Sequence, residues 1–263
     1  MNEATHPTPP PVVKMCHVTV AARRDAAVTV AAGVNWTVRP GEFWVVGAPQ
    51  HSGKSDFLML TGGLSAPARG DYWFCGERMP IFEEDRLAHR LKLGFVFDGG
   101  QLLGHLTIAE NIALPLQYHQ NLAFEETTTR VHDALALTGL APWADRLPEA
   151  LGRSWRQRAG LARALVQRPE VLLLDSPLTG LDVRQTYWWL GLLEQLSRGH
   201  PFLEDKPITI IATADDLRPW RRRANRVACL SHQRLRTFGD WTAVNQCDDA
   251  TLQELLEEDT RPG

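Results

Sequence analysis

The chain has 263 residues, 44% of them hydrophobic and 22% charged, with a formal net charge of −3. That length allows one large domain, or a domain with a subdomain, around a sizeable core. The charge balance gives no general ground for nucleic-acid binding, and no apolar run approaches the ~20 residues that a membrane-spanning helix needs. Any membrane role must then go through a partner.

Residues 1–11 are polar and proline-rich, without a basic stretch followed by an apolar one, and read as a flexible leader and not a signal peptide. Residues 12–263 read as one folded unit. Segments 12–20 and 27–38 are β-branched and roughly alternating, which predicts two strands ahead of Pro40-Gly41. The apolar run Phe43-Trp44-Val45-Val46 then leads into a loop that ends Gly53-Lys54-Ser55, with a helix after it to about Thr61. Strand, glycine-containing loop and helix start in that order form a phosphate-binding context. Loop amides and the helix N-terminus face one concavity suited to an anion. Candidate nucleotide-binding residues are therefore Ala48, Pro49, Gln50, His51, Ser52, Gly53, Lys54, Ser55 and Asp56. Lys54 would reach the terminal phosphates, and Ser55 could ligand Mg²⁺. Strict spacing puts glycine where Ala48 stands, and a Cβ there is expected to restrict φ and crowd the phosphate. His51 could sense a γ-phosphate or be an ordinary loop residue.

Gly62-Gly63 should stop the helix. Segment 71–75 with Gly76 reads as a hairpin arm, and 91–97 as a buried strand ending at Asp98-Gly99-Gly100. From 105 to 168 the pattern turns helical, near 107–119, 125–138 and 155–167, which predicts an inserted helical subdomain. Thr107 and Glu110 have the spacing of a capping box. The run 171–174 ends in Asp175, as a buried parallel strand beside the phosphate loop would, with the carboxylate available to Mg²⁺. A helix over 183–198, a second apolar run at 208–212, strands at 226–230 and 234–238 and a helix over 250–258 complete the chain. Arg221-Arg222-Arg223 reads as a solvated helix face. Trp188 and Trp189 should point to different faces of one helix. The four cysteines, Cys16, Cys75, Cys229 and Cys247, are widely spaced without a C-x-x-C pair, which predicts reduced, mostly buried thiols. The fold class expected is α/β: a P-loop NTPase core with an N-terminal antiparallel β part and the helical insertion.

The stretches LGFVFDGGQLLGHLTIAENIALPL (93–116), LGRSWRQRAGLARALVQRPEVLLLDSPLTGLD (151–182) and ITIIATADD (208–216) resemble the ATP-binding subunit of ABC transporters. That resemblance covers nearly the whole chain. It implies ATP and Mg²⁺ as ligands and Ser55 and Asp175 as metal ligands. It implies a membrane-embedded permease as partner, and a second nucleotide-binding subunit, either another copy or an intact homologue. The location it implies is cytoplasmic, against the inner face of the cell membrane. Asp182 falls at the D-loop position. In this family each ATP lies between one chain's phosphate loop and the other's signature motif.

Several positions depart from the family pattern. Ser176 stands where the catalytic glutamate is expected, Ala214 at the switch histidine and Asp98 at the glutamine after the strand. The signature Leu-Ser-Gly-Gly-Gln reads Leu151-Gly152-Arg153-Ser154-Trp155, and no aromatic residue lies near 20–22 to stack on adenine. Serine cannot act as a carboxylate base, a loss of ~10²–10⁴ in rate. Arg153 and Trp155 put bulk where backbone should approach phosphate, and Asp98 adds negative charge there. Three readings follow: a transporter subunit with weak or lost hydrolysis, a non-hydrolysing regulatory or structural protein, and an ATPase using Asp98 or Asp215 as substitute base. The wording of 110–119 further resembles ATPases of Mla/Mce-type lipid transporters. Leu102–Leu116 with His105 matches the part that meets the permease, or is ordinary subdomain packing. The segment 199–207 is longer than the family usually has.

Overall fold

The computed structural model describes residues 9–79, 87–119, 122 and 124–257. Most of the expected leader, residues 1–8, lies outside the described residues, as does position 258 of the last expected helix.

In chain order the elements are β1 (Val13–Ala22), β2 (Asp25–Val38), β3 (Phe43–Gly47), α1 (Lys54–Thr61), β4 (Arg69–Phe74), β5 (Glu77–Met79), α2 (Leu87–Arg90), β6 (Leu93–Val96) and α3 (Ile108–His119). There follow α4 (Phe124–Thr138), α5 (Arg153–Leu165), β7 (Val171–Leu174), α6 (Val183–Arg198), β8 (Thr209–Ala214), β9 (Arg226–Ser231), β10 (Arg234–Gly239), α7 (Trp241–Asn245) and α8 (Ala250–Glu254). The strands form two sheets. One is antiparallel, in the order β2-β1-β4-β5; the other runs β10-β9-β3-β8-β7-β6 and is parallel except at its β10 edge.

Burial explains the uninterrupted apolar runs. Every residue of β3, β7 and β8 is buried. Along β3 the side chains alternate between two cores: Phe43 and Val45 join Leu172, Ile210, Trp189 and Leu193 on one face. Trp44 and Val46 join Phe57, Leu58, Trp36 and Tyr72 on the other. Helix α1 lies against both sheets, contacting β1, β2 and β8. A third core is built by α3, α4 and α5 around Ile108, Ile112, Leu135 and Ala159. No helix among the described residues is long and apolar enough to cross a membrane.

Local signals account for the element ends. Glu110 N–H donates to Thr107 Oγ1 (3.2 Å) and Thr107 N–H to Glu110 Oε2 (2.7 Å), a reciprocal capping box. The accepted hydrogen bonds from the Thr107 backbone and hydroxyl hold the Glu110 carboxyl below its ordinary pKa. After α1, Gly63 takes φ +68° and its N–H donates to the Leu60 carbonyl, while Leu64 N–H reaches Met59. That is a Schellman ending, and the left-handed residue has to be the glycine. Trp189 is buried and Trp188 half-buried, the split that adjacent helix positions require.

Four expectations need correction. Arg221-Arg222-Arg223 is a turn after a short 3₁₀ helix, Arg218–Trp220, and Arg223 pairs with Glu194 from α6. The last helix is shorter than expected, Ala250–Glu254, and α7 precedes it. Only Cys229 is buried; Cys16, Cys75 and Cys247 are half-buried. Burial pushes the Cys229 and Cys75 thiols up to about 11, so both are protonated at neutral pH. Strand 91–97 shortens to Leu93–Val96 because Lys92 already turns, its carbonyl accepting from the Glu170 and Val171 amides.

Asn111 was not singled out by its sequence context, yet it organises the approach to α3. Fully buried, its Nδ2 lies within hydrogen-bonding distance of the Leu103, Leu106 and Thr107 carbonyls (2.9–3.0 Å), and its Oδ1 accepts from Leu103 N–H (2.8 Å). Truncation would orphan several part-buried backbone groups together. Asn111→Ala should lower the unfolding free energy by about 2–3 kcal/mol; urea denaturation followed by circular dichroism measures it, and a loss indistinguishable from zero would refute this role.

Candidate functional site

The parallel register assembles the site. Gly47, at the end of β3, pairs with Ala214 at the end of β8, and Leu174 of β7 pairs with Ala212. The loop 48–53, Asp175 and the segment 213–216 therefore emerge side by side at the carboxyl ends of neighbouring strands, the place where open α/β sheets bind ligands. Ala48 N–H donates to the Ala214 carbonyl (2.8 Å), fastening the loop to β8.

Within the loop, Gly53 has φ +83° and a Cβ on it would sit 2.6 Å from Val30 Cγ2, so glycine is required twice over. Ala48 has an ordinary backbone conformation and is buried in the core shared with β1 and β2. Its methyl group thus leaves φ unstrained, contrary to the expectation from spacing. His51 is exposed, with φ +61°, a conformation that costs a non-glycine residue about 1 kcal/mol or more. The Ser52 hydroxyl is buried without a hydrogen-bond partner. Pro49 accepts from Ser52 N–H (3.3 Å) and closes the turn. Asp56, in the first turn of α1, accepts from Arg23 N–H (3.3 Å) at the tip of the β1–β2 hairpin. The tip of that hairpin carries Arg23-Arg24 and no aromatic residue.

Lys54 faces an internal carboxylate. Its Nζ lies 4.0 Å from Asp215 Oδ2, an oxygen that also lies 3.5 Å from Gln50 Nε2, while Thr179 Oγ1 reaches Oδ1 (3.3 Å). Asp175 is 4% exposed; its Oδ1 accepts from the hydroxyls of Thr213 (3.1 Å) and Ser176 (3.4 Å). Thr213 in turn accepts from Ser176 N–H (2.9 Å). Ser176 has φ +49°, so the backbone is strained beside this buried carboxylate. Gln157 is fully buried, its Nε2 3.5 Å from the Ser176 carbonyl and its Oε1 unpartnered. Ser176 and Ala214 border one cavity of about 140 Å³.

Arg153 and Trp155 were expected to put bulk where backbone should approach phosphate, and the fold turns both side chains back onto their own chain. Gly152 is the N-cap of α5, and Leu151 is buried. Arg153 folds back within the chain: it forms an ion pair with Asp98 and donates from Nη1 to the Thr179 carbonyl (3.1 Å). Asp98 is thus engaged by Arg153. Trp155 turns inward to Arg158, whose guanidinium lies 4.6 Å from the Trp155 ring centroid and 3.6 Å from that of Trp188. Burial lowers the Arg158 pKa, with nearby Asp182 acting in the opposite direction. Ser154 stays half-buried at the start of the helix. Asp182 caps α6, accepting from Gln185 N–H (2.8 Å).

Close backbone approach fixes this group. A Cβ on Gly100 (φ +81°) would fall 2.2 Å from the Arg156 carbonyl oxygen, and one on Gly160 would fall 2.8 Å from Gly100 Cα. Arg163 then donates to the Gly100 and Gln101 carbonyls (2.9 and 3.0 Å). Gly99-Gly100 marked a strand end in the sequence; nothing there showed that α5 would press against it.

The donor set suits Mg²⁺ with a phosphate ligand. Ser55 and Asp175 offer hard oxygen ligands, and the orphaned Ser52 hydroxyl lies in the same loop as Lys54.

The ABC transporter family model matches residues 31–179. A spermidine/putrescine import ATP-binding protein of Trichodesmium erythraeum is 31% identical over 222 residues, 84% of this chain and 55% of that protein. A methionine import ATP-binding protein of Bordetella pertussis is 32% identical over 213 residues, 81% of this chain and 57% of that one. The chain spans little more than half the length of these relatives. Among solved structures, a dimeric ATP-binding cassette in a post-hydrolysis state with ADP and Pi superposes with a TM-score of 0.75 at 28% identity, covering 85% of this chain and 96% of that one. The cbiO1 component of an ABC transporter complex from Clostridium perfringens shares the fold at a TM-score of 0.75 and 22% identity, over 90% and 91% of the two chains.

If Asp98 and Arg153 are coupled, reversing both charges should restore what reversing either removes. A double-mutant cycle with Asp98→Arg and Arg153→Asp should give about 0.2–1 kcal/mol of coupling in denaturant unfolding, the range for exposed ion pairs. Additive single effects would mean the pair does not contribute.

Proposed function

The chain belongs to the ABC transporter family, and from that premise we propose that it is an ATP-binding subunit that couples Mg-ATP binding to a membrane permease while hydrolysing slowly or not at all. One observation carries this reading: Lys54 and Ser55, opening the helix after β3, and Asp175, at the carboxyl end of β7, lie on either side of the end of β8, whereas the neighbouring Ser176 and Ala214 supply neither carboxylate nor imidazole. Binding and turnover thereby come apart.

In this proposal the loop amides and Lys54 hold the phosphates, and Ser55 and Asp175 hold Mg²⁺, which would neutralise charge on the β- and γ-oxygens. The lysine must exchange Asp215 for phosphate. Ser176 can donate or accept a hydrogen bond but is no base near neutral pH, and a missing general base costs about 3–5 kcal/mol of barrier. The signature contributes the amide end of α5, with Arg153 and Trp155 occupied inside their own chain. Paired with an intact homologue, the chain would build two unequal sites; paired with itself, two slow ones. A groove of about 390 Å³ bordered by Phe95, Phe97, Leu114, Pro115 and Tyr118 suits the permease, and Leu103 and His105 are exposed. Such an association would hold the chain at the cytoplasmic face of the membrane. The resemblance of 110–119 favours a lipid cargo of the Mla/Mce type, although the relatives named above serve polyamine and methionine import.

A second reading draws on Asp215, the carboxylate 4.0 Å from Lys54, as a substitute base. The non-hydrolysing regulatory or structural reading requires that nucleotide binding be absent or independent of metal.

Titration with a fluorescent ATP analogue should show Mg²⁺-dependent binding that Lys54→Ala abolishes; no binding by either protein would overturn the proposal in favour of a purely structural role. Ser176→Glu should raise steady-state phosphate release at least about tenfold, part of the factor a general base supplies. Asp215→Asn should leave turnover no lower and tighten nucleotide binding by freeing Lys54. Abolished turnover in that variant would assign the base to Asp215 instead.

A further inference from the structure

Three segments meet at one guanidinium. Arg153, the first residue of α5, forms its ion pair with Asp98 from the loop after β6 and donates from Nη1 to the Thr179 carbonyl (3.1 Å) from the loop after β7. Glycines leave room for it on two sides. A Cβ on Gly180 (φ +74°) would lie 3.3 Å from Arg153 Nη1, and one on Gly99 (φ +68°) would lie 4.0 Å from its Nε. Arginine suits the position because its planar fork serves two acceptors at fixed angles, which an ammonium on a flexible stem does not.

Thr179 is tied on its other side as well. Its N–H donates to the Ser176 carbonyl (3.2 Å), closing a turn just after Asp175, and its hydroxyl donates to Asp215 Oδ1 (3.3 Å). The other oxygen of that carboxylate, Oδ2, lies 4.0 Å from Lys54 Nζ and 3.5 Å from Gln50 Nε2. Arg153, Thr179, Asp215 and Lys54 therefore form an unbroken series of polar contacts from the start of α5 to the phosphate-type loop. Asp215 is held at one oxygen by the braced threonine and offers the other to the lysine. A carboxylate already fixed in place loses less rotamer entropy in pairing with Lys54 than one free to swing into solvent, so it competes better with an anionic ligand for that ammonium. Asp98, meanwhile, offsets the charge of Arg153, so the guanidinium itself attracts an anion only weakly from a distance.

We propose that Arg153 is a positioning residue that lowers the nucleotide affinity of its own chain, by bracing Thr179 and through it holding Asp215 against Lys54. This role rests on the ATP-binding reading and deepens it: the residue at the signature position restrains the phosphate site of the chain that carries it.

Titration of the full chain with a fluorescent ATP analogue in Mg²⁺ tests it through the sign of the effect. Arg153→Gln removes a cation, and simple charge attraction would then weaken binding of a polyanion. The brace predicts the opposite, a tightening of at least about twofold, within the range that single exposed ion pairs support. Thr179→Val, which deletes the hydroxyl contact and keeps the carbonyl, should tighten binding too, and Arg153→Gln should add nothing in an Asp215→Asn background. If Arg153→Gln does not fold, Arg153→Lys, which keeps the charge and loses the fork, should move affinity in the same direction. Weaker or unchanged binding in the folded variants, or the same gain from Arg153→Gln with and without Asp215, would overturn the inference. Acetylation of Lys54 in the absence of nucleotide, followed by mass spectrometry, keeps the two ideas apart. It should run at least about twofold faster in Arg153→Gln than in the native chain, since the amine is less often paired; an unchanged rate would count against the brace. A faster rate in chains that bind no nucleotide would sink the proposed function and leave the brace standing.

Discussion

Parallel pairing between β3 and β8 is the constraint on which the rest depends. With Gly47 opposite Ala214, the phosphate-type loop and the segment carrying Asp215 leave the sheet at the same level, and the Ala48–Ala214 hydrogen bond prevents them from sliding apart. A slip of one residue would send Val45 and Val46 to the wrong cores, and both faces of this strand are buried. The apolar packing that makes the register costly to break thus also sets where Lys54 can point. Asp175 follows from the same logic, one strand further along.

Much of this arrangement was legible in the sequence because it is local. The run 171–174, the helix 183–198, the Gly62-Gly63 ending and the Thr107–Glu110 box each carry their cause within a few residues. The loop residues 48–53 were singled out by the same short-range logic. What escaped was long-range or conformational. Arg153 and Asp98 lie 55 residues apart, and each was read as a separate loss when they form a pair. Asn111 looked like an ordinary helix residue because its partners are backbone atoms of a loop, which no side-chain pattern announces. Spacing suggested that Ala48 would strain the turn, but its backbone takes an ordinary conformation, and the left-handed position went to His51 instead.

The cleft is also electrostatically unusual. Asp56, Asp98, Asp175 and Asp215 all lie on or near the elements that border the phosphate-type loop, and all four are already engaged by groups of this chain: Asp56 by the Arg23 amide, Asp98 by Arg153, Asp175 by two hydroxyls, Asp215 by Lys54, Gln50 and Thr179. Internal pairing keeps negative charge compatible with a compact fold, at the expense of donors a polyanion would want. A ligand that enters has to compete for these contacts before it gains its own.

The Trp155–Arg158–Trp188 stack has a historical consequence. Trp155 packs against the helical core and covers a part-buried guanidinium that Trp188 covers from the other side. Placing a glutamine at 155 would strip one face of that cation and open space among the helices. Each later substitution that came to lean on the tryptophan would deepen the penalty of removing it. The stack would therefore act as a ratchet: a chain that has built it can accumulate further changes around it more easily than it can give it up.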